Sequence, residues 1–148
     1  MGKVILLCIA TSLATLVMHE VGLLGIGTLA GRVAEGRGRL VVLAAAAGIL
    51  VLHLAEIGLY TTVVALATNV LHLGDLVGDV DGSRLELLYF SAETYTSLGF
   101  GDIIPTGPMR LIASFEPLNG LILLGWSASF LHLEFTRYWR RLGRPSSR

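Results

Sequence analysis

The sequence predicts an all-α membrane protein with three transmembrane helices and one shorter, re-entrant helix. Apolar residues make up 53 % of the 148 residues and charged residues only 15 %, whereas a soluble domain carries about 25 % charged residues. The mean hydropathy is +0.72. Three apolar runs also exceed the roughly 20 residues that a helix needs to cross the hydrocarbon core of a bilayer.

The first apolar run extends from residue 4 to about residue 30. It is longer than the h-region of a signal peptide, about 7–15 residues, and no clear small-residue cleavage site follows it. We therefore expect a retained transmembrane helix. Residues 31–39 form a basic linker whose glycines are expected to end the helix and turn the chain, so residues 1–39 make up an N-terminal helix and a cytoplasmic linker.

The second apolar run, residues 40–73, would be close to 50 Å long at about 1.5 Å per residue. The hydrocarbon core is only about 30 Å thick, so we expect this helix to tilt, protrude or break. The weakest point is expected near Gly58 and the pair Thr61 and Thr62.

A short helix is predicted over residues 84–96, after a loop over residues 74–83 that is rich in Gly and Asp. Ser83 and Glu86 have the spacing of a capping box at its start. About 13 residues are too few to span the membrane. Because a glycine-rich turn and Pro105 follow, the chain is expected to enter the membrane and leave it on the same side.

The last apolar run covers residues 109–135, and Pro117 is expected to kink this helix or to mark its true start. The tail, residues 136–148, carries five Arg. It is too short to fold alone, and we expect it to fray and to bind the anionic inner leaflet. No nucleic-acid partner is expected.

The distribution of charge predicts the topology. The 31–39 linker and the tail hold eight of the eleven Lys and Arg residues, while residues 74–84 hold three Asp and one Arg. Since positive charge favours the cytoplasm, the linker and the C-terminus are expected inside. The N-terminus is then outside, and the short helix enters from the outside.

Residues 89–102 read Tyr-Phe-Ser-Ala-Glu-Thr-Tyr-Thr-Ser-Leu-Gly-Phe-Gly-Asp, with Pro105 shortly after. This stretch resembles the pore helix and selectivity filter of tetrameric potassium channels of the bacterial two-helix type, and the resemblance covers about residues 85–135. It implies a pore domain over residues 40–135. The elements would be an outer helix 40–73, an extracellular loop 74–83, a pore helix 84–96, a filter 97–102 and an inner helix 109–135.

The resemblance places Ser97, Leu98, Gly99, Phe100 and Gly101 at the positions of the family's Thr-Val-Gly-Tyr-Gly filter. It implies that K⁺ loses its water and binds backbone carbonyls between Ser97 and Phe100, with Gly99 and Gly101 at positive φ. Because one chain supplies one wall, a homotetramer is required.

The resemblance also implies a function. The protein would be a passive K⁺-selective channel in a bacterial inner membrane, with no catalytic activity and no cofactor beyond the permeant ions. Leu98 and Phe100 depart from the family's Val and Tyr. A weakly selective monovalent cation channel on the same scaffold is therefore an alternative.

Other residues are expected to support or move the filter. Glu93 and Asp102 match positions where a bacterial channel of this family pairs two carboxylates behind the filter, and such a pair would share a proton. With Thr96 they would brace the filter. The alternative is that Asp102 is a solvated residue at the pore mouth and Glu93 forms only local hydrogen bonds. Gly120 and Gly125 match a gating hinge by analogy, although small residues also serve close helix packing.

Intramembrane ionisable residues are rare and are functional candidates by default. Glu20, His53, Glu56 and Glu116 lie in the predicted spans. One hypothesis is that Glu20 meets His53 or Glu56 in a proton- or metal-responsive contact, and the other is plain hydrogen-bonded packing. Glu116 is expected to stabilise the tetramer. A non-conducting membrane protein that binds metal or a partner through these His and Glu residues is the alternative from a different class.

Overall fold

The computed structural model describes residues 1–33 and 38–142. Three of its helices are long and apolar enough to cross a membrane, over Gly2–Ala30, Arg39–Asn69 and Met109–Arg140. The prediction of an all-α membrane protein is therefore confirmed. In chain order the elements are α1 (Gly2–Val33), α2 (Gly38–Asn69), β1 (Leu76–Gly78), α3 (Arg84–Tyr95), β2 (Ile103–Pro105) and α4 (Met109–Leu142).

The helix α2 ends at Asn69, four residues before the expected boundary, and it is continuous through Gly58. Of the three expected outcomes, a break is absent, and the two threonine hydroxyls are satisfied by carbonyls of the helix itself. The hydroxyl of Thr61 donates to the carbonyl of Ile57, and that of Thr62 donates to the carbonyl of Gly58, each at 2.9 Å. These bonds go back one turn and need no interruption of the helix.

The helix α4 continues to Leu142, so residues 136–142, which were expected to fray, are helical. Local side-chain contacts support this last part. Arg137 forms an ion pair with Glu134 one turn earlier, with 2.5 Å between Nη1 and Oε1, a spacing that stabilises helices. Pro117 lies inside α4 and does not mark its start. The linker turn at 34–37 and the tail beyond 142 lie outside the described residues.

A short antiparallel ladder joins β1 to β2, which directly follows the predicted filter. Strands of three residues are too short to show a periodicity, so the sequence did not predict them. Gly78 has φ 126°, and a Cβ there would lie 2.0 Å from the carbonyl oxygen of Asp102. Glycine therefore lets the outer loop lie directly against the end of the filter.

The start of α3 confirms the predicted cap. The hydroxyl of Ser83 accepts a hydrogen bond from the N–H of Glu86 at 3.1 Å. The carboxylate of Glu86 reaches back to the N–H groups of Asp81 and Gly82 at 2.6 and 2.7 Å, which lie two residues and one residue before the Ser83 N–H of a standard capping box. The cap thereby fixes the loop together with the helix.

The first helix packs against both α2 and α4. A buried polar contact holds the three helices together. The amide of Asn119 in α4 donates to Thr15 Oγ1 in α1 at 2.5 Å and to the hydroxyl of Tyr60 in α2 at 3.1 Å. An amide in this position satisfies two oxygens that would otherwise be left without a donor.

We predict that Asn119→Ala lowers the free energy of unfolding by about 1 kcal/mol, since interhelical hydrogen bonds in membranes contribute roughly 0.6–1.7 kcal/mol. Thermal unfolding of the purified protein in detergent measures the change. Asn69→Ala is the matched control because Asn69 is exposed at the end of α2. Equal destabilisation by the two variants would contradict the role of Asn119.

Candidate functional site

In the predicted filter, the backbone dihedral φ alternates between positive and negative values from residue to residue. Ser97, Gly99 and Gly101 have φ of 60°, 55° and 81°, while Leu98 and Phe100 between them do not have positive φ. Glycine accepts this conformation readily, but for Ser97 it is sparsely populated and must be held by its surroundings. Such an alternation turns successive carbonyls toward the same side of the chain.

Glu93 holds the N–H groups on the other side of the filter. Its backbone carbonyl accepts from the N–H groups of Leu98 at 2.8 Å and Gly99 at 3.3 Å. Its carboxylate accepts from the N–H of Phe100 at 3.0 Å, and the side chain is buried. One residue of α3 thus fixes three successive peptide groups, and their carbonyls remain free for an ion.

Thr96 supports the end of α3 more directly than the filter. It is the C-cap residue, and its hydroxyl donates to the carbonyl of Ala92 at 2.7 Å. The hydroxyl therefore satisfies a carbonyl of the helix and does not contact the filter backbone. Thr96 therefore supports the filter only indirectly, because it ends α3 directly before the filter begins.

Asp102 does not form the expected direct pair with Glu93. Its carboxylate accepts from the hydroxyl of Tyr89 at 2.9 Å and from the N–H of Ile103 at 3.1 Å. No hydrogen bond joins Asp102 to Glu93 in the part of the chain that the structure describes. The two carboxylates brace the filter separately, one behind its middle and one at its outer end.

Tyr89 is a filter contact that reasoning from the sequence missed. Loss of hydration, and after it the hydrogen bond to the carboxylate of Asp102, raises the pKa of Tyr89 to about 12, so the phenol keeps its proton and donates. Its ring also stacks on Phe100, with centroids 6.4 Å apart and planes 2° from parallel. The sequence could have indicated this contact, because Tyr89 lies one helical turn before Glu93 and therefore on the same side of α3.

The filter is exposed in the single chain. Leu98 is 60 % and Phe100 66 % accessible, although both side chains are large and apolar. The backbone beside them is held by hydrogen bonds to Glu93. Exposed apolar surface at such a place indicates an interaction surface. Leu98 and Phe100 thus form an exposed apolar surface beside the predicted filter.

The two candidate hinge glycines differ in their surroundings. A Cβ on Gly120 would lie 2.2 Å from the carbonyl oxygen of Tyr95, whereas a Cβ on Gly125 would meet nothing within 4 Å. Gly120 therefore lets α4 pack directly on the end of α3. Gly125 has no packing requirement in this chain, which leaves a hinge role open for that residue.

A buried polar cluster lies behind α3, and it draws one residue or more from each of the four helices. We call it the His–Glu cluster; its members are His19 of α1, His53 and Glu56 of α2, Tyr95 of α3 and Ser127 of α4. All five side chains belong to residues that are buried.

The carboxylate of Glu56 is the centre of the His–Glu cluster. Its Oε1 lies 2.8 Å from His19 Nδ1, and its Oε2 lies 2.9 Å from His53 Nδ1. The hydroxyl of Tyr95 donates to the same Oε2 at 2.6 Å. On the far side of the two rings, Ser127 Oγ lies 3.0 Å from His53 Nε2 and 3.3 Å from His19 Nε2.

The hypothesis that Glu20 meets His53 or Glu56 is wrong. Glu20 is exposed, and its neighbour His19 makes the contact instead. Adjacent helical residues diverge by about 100°, so only one of the two can face α2. The signal was present in the sequence, since Thr11, Thr15 and His19 form a polar stripe at four-residue spacing, and all three are buried.

Glu116 is fully buried within the single chain. Neither of its carboxylate oxygens has a hydrogen-bond partner among residues 1–33 and 38–142. Its burial therefore does not depend on a neighbouring subunit, and its role in stabilising a tetramer stays a prediction.

Comparison with known proteins agrees with this geometry. Residues 40–136 match a family described as "Ion channel". The chain belongs to the ion channel family. The matched region contains most of α2, all of α3, the predicted filter and most of α4, while α1 lies before it.

The chain is also 35 % identical over 83 residues to the inward rectifier potassium channel Kirbac3.1 of Paramagnetospirillum magnetotacticum. The match covers 54 % of this chain and 28 % of that relative, so the chain spans little more than a quarter of the relative's length. No solved structure matches the chain significantly. Together, the family and this relative confirm the resemblance to a potassium channel pore.

We predict that Glu93→Ala strongly reduces K⁺ flux while the protein still assembles. The change leaves the N–H of Phe100 without its acceptor; this would cost about 1–3 kcal/mol for a fully buried group and less here, because the contact is part-buried. Glu93→Gln keeps an acceptor oxygen and is expected to retain most of the flux. Flux per reconstituted channel measures both, and wild-type flux from Glu93→Ala would rule out this anchor.

We also predict that Gly120→Ala destabilises the protein by about 1–3 kcal/mol, the usual cost of overpacking, because its Cβ meets a backbone oxygen. Gly125→Ala, with open space for its Cβ, is the control and should not be destabilised, since alanine is the better helix former. Thermal unfolding in detergent separates the two. A stable Gly120→Ala protein would show that the close contact between α3 and α4 is not required.

Proposed function

We propose that the chain forms a passive, K⁺-selective channel in the cell membrane. The observation that carries this proposal is the filter backbone, in which alternating φ frees the carbonyls on one side while Glu93 binds the N–H groups on the other. A K⁺ ion must lose its hydration shell to enter a narrow pore, and carbonyl oxygens replace that shell. Residues Ser97 to Phe100 would supply them, with Gly101 closing the filter.

A homotetramer completes the site. One chain provides one wall, and a closed cyclic assembly would surround the ion with four. The exposure of Leu98 and Phe100 supports this, because neighbouring subunits would cover them. Each α3 would also direct its C-terminal end, with its partial negative charge, toward the path of the cation.

The orientation follows from charge. The positive-inside rule places the basic linker and the Arg-rich tail in the cytoplasm, next to the anionic lipids of the inner leaflet, and the N-terminus outside. The β1–β2 ladder and the end of the filter would then face the exterior. A bacterial inner membrane fits this orientation and the organism of the relative.

A weakly selective cation channel is the second candidate, and Phe100 favours it. Phe100 lacks the hydroxyl that a tyrosine would offer to the pore helix, and it contacts Tyr89 only by stacking. A Phe100 side chain held by stacking alone adds no directional bond to fix the spacing of the filter carbonyls. Phe100→Tyr and Leu98→Val should then sharpen K⁺ over Na⁺ selectivity.

The test is K⁺ flux from vesicles that contain the purified protein. We predict that Gly99→Ala abolishes the flux, because alanine at φ +55° is strained even though its Cβ has open space. Gly25→Ala is the matched control, since its Cβ is equally unobstructed in α1, and it should conduct normally. Flux through Gly99→Ala would show that the filter assignment is wrong.

The same preparation distinguishes the candidates. With K⁺ on one side and Na⁺ on the other, a reversal potential close to that of K⁺ supports selectivity, and one near zero supports the weakly selective channel. A well-folded protein that gives no flux of either ion would support the third candidate, a non-conducting protein that binds metal or a partner.

A further inference from the structure

The His–Glu cluster has more acceptor positions than protons to fill them. As a carboxylate, Glu56 only accepts hydrogen bonds, so both histidines must direct an Nδ1–H toward it. A neutral imidazole then has no proton on Nε2. Ser127 has a single hydroxyl proton, yet it faces the Nε2 atoms of both rings. One of these two contacts is therefore left without a proton.

A cation at the carboxylate would complete the arrangement. We propose that His19, His53 and Glu56 bind a divalent transition-metal ion of the Zn²⁺ class through Nδ1, Nδ1 and a carboxylate oxygen. With the metal on Nδ1, each neutral ring carries its proton on Nε2. Ser127 Oγ has two lone pairs and accepts from both rings, and no contact is left unfilled.

The spacing of the three ligands suits such an ion after a small outward shift. The ligand atoms all lie within 4.8 Å of one another, and the two His–Glu contacts are 2.8 and 2.9 Å. Neighbouring ligands of a tetrahedral zinc ion with bonds near 2.0 Å are roughly 3.3 Å apart. Each of the two His–Glu contacts would therefore have to lengthen by only about half an ångström.

The surroundings provide the remaining parts of a metal site. Two His and one Glu are a ligand set that zinc uses in proteins. Ser127 is the partner that ligating histidines require for their second nitrogen. The hydroxyl of Tyr95 is the nearest fourth donor, at 2.6 Å from Glu56 Oε2 and 2.9 Å from His53 Nδ1.

The site would join α1 to the helices of the pore. His19 comes from α1, which lies before the residues that match the channel family, and the other two ligands come from α2. Because Tyr95 ends α3 just before the filter, an ion here would bind directly behind the filter's support. Binding itself does not depend on conduction, so it can be tested even if the proposed function fails.

The test measures Zn²⁺ binding to the purified full chain in detergent, after treatment with a chelator, by isothermal titration and metal analysis. We expect one ion per subunit. His19→Gln and Glu56→Gln should weaken binding at least about 100-fold, and Ser127→Ala about 10–100-fold, as for other partners of ligating histidines. The double variant His72→Gln and His132→Gln, and Glu20→Gln, are the matched controls and should bind like the wild type.

A second readout uses Trp126, whose ring centroid lies 5.6 Å from that of His19. In a Trp139→Phe background Trp126 is the single tryptophan, and Co²⁺ at the site should quench its fluorescence at the concentration at which it binds. Ser127→Ala changes only one hydroxyl and tests the site even if His19→Gln does not fold.

Three results would overturn the proposal. One is that the wild-type protein takes up no Zn²⁺ or Co²⁺, in which case the cluster holds an extra proton only. Another is that binding survives in His19→Gln. The third is that binding is lost in the control variant at His72 and His132.

Discussion

The hydrogen bond between Tyr95 and Glu56, 2.6 Å long and fully buried, is the contact on which the pore half of the molecule depends. The helix α3 has 12 residues, too few to be stable alone, and the filter begins two residues after Tyr95. The side chain of Tyr95 is held by α2, and its backbone carbonyl packs against Gly120 of α4. The end of α3 is thus fixed from two sides, and the position of the filter follows.

A charged carboxylate in the interior of a membrane protein is stable only when its oxygens are satisfied. Glu56 meets this condition through three partners from three different helices. Removing one partner of such a buried network typically costs about 3–5 kcal/mol, far more than the network contributes in net stability. The His–Glu cluster is therefore best understood as a constraint on geometry: it permits only arrangements in which α1, α2 and α3 all keep their contacts.

The sequence predicted the features that local chemistry determines. Ser83 capped α3 as expected, because a cap involves residues only a few positions apart. The three spans followed from length and hydropathy. What it could not supply depended on tertiary contacts: that Tyr89 and not Glu93 binds Asp102, and that the outer loop pairs with the strand after the filter. In each case, several residues of the right chemistry were available, and only the packing of the helices selected one.

Buried contacts of the same kind attach the first helix, α1, to the helices of the pore. The matched channel family begins at residue 40, so α1 could have been a separate membrane anchor with a wholly apolar surface. Instead its buried stripe carries Thr15 and His19, which bind Asn119 and Glu56 of the pore helices. Without α1, Oε1 of Glu56 would lose its partner and the amide of Asn119 one of its acceptors, at about 1–3 kcal/mol for each polar group left unsatisfied in the interior. The pore of this chain is thus built to include α1, and any movement of α1 has to act on the residue that holds the end of α3.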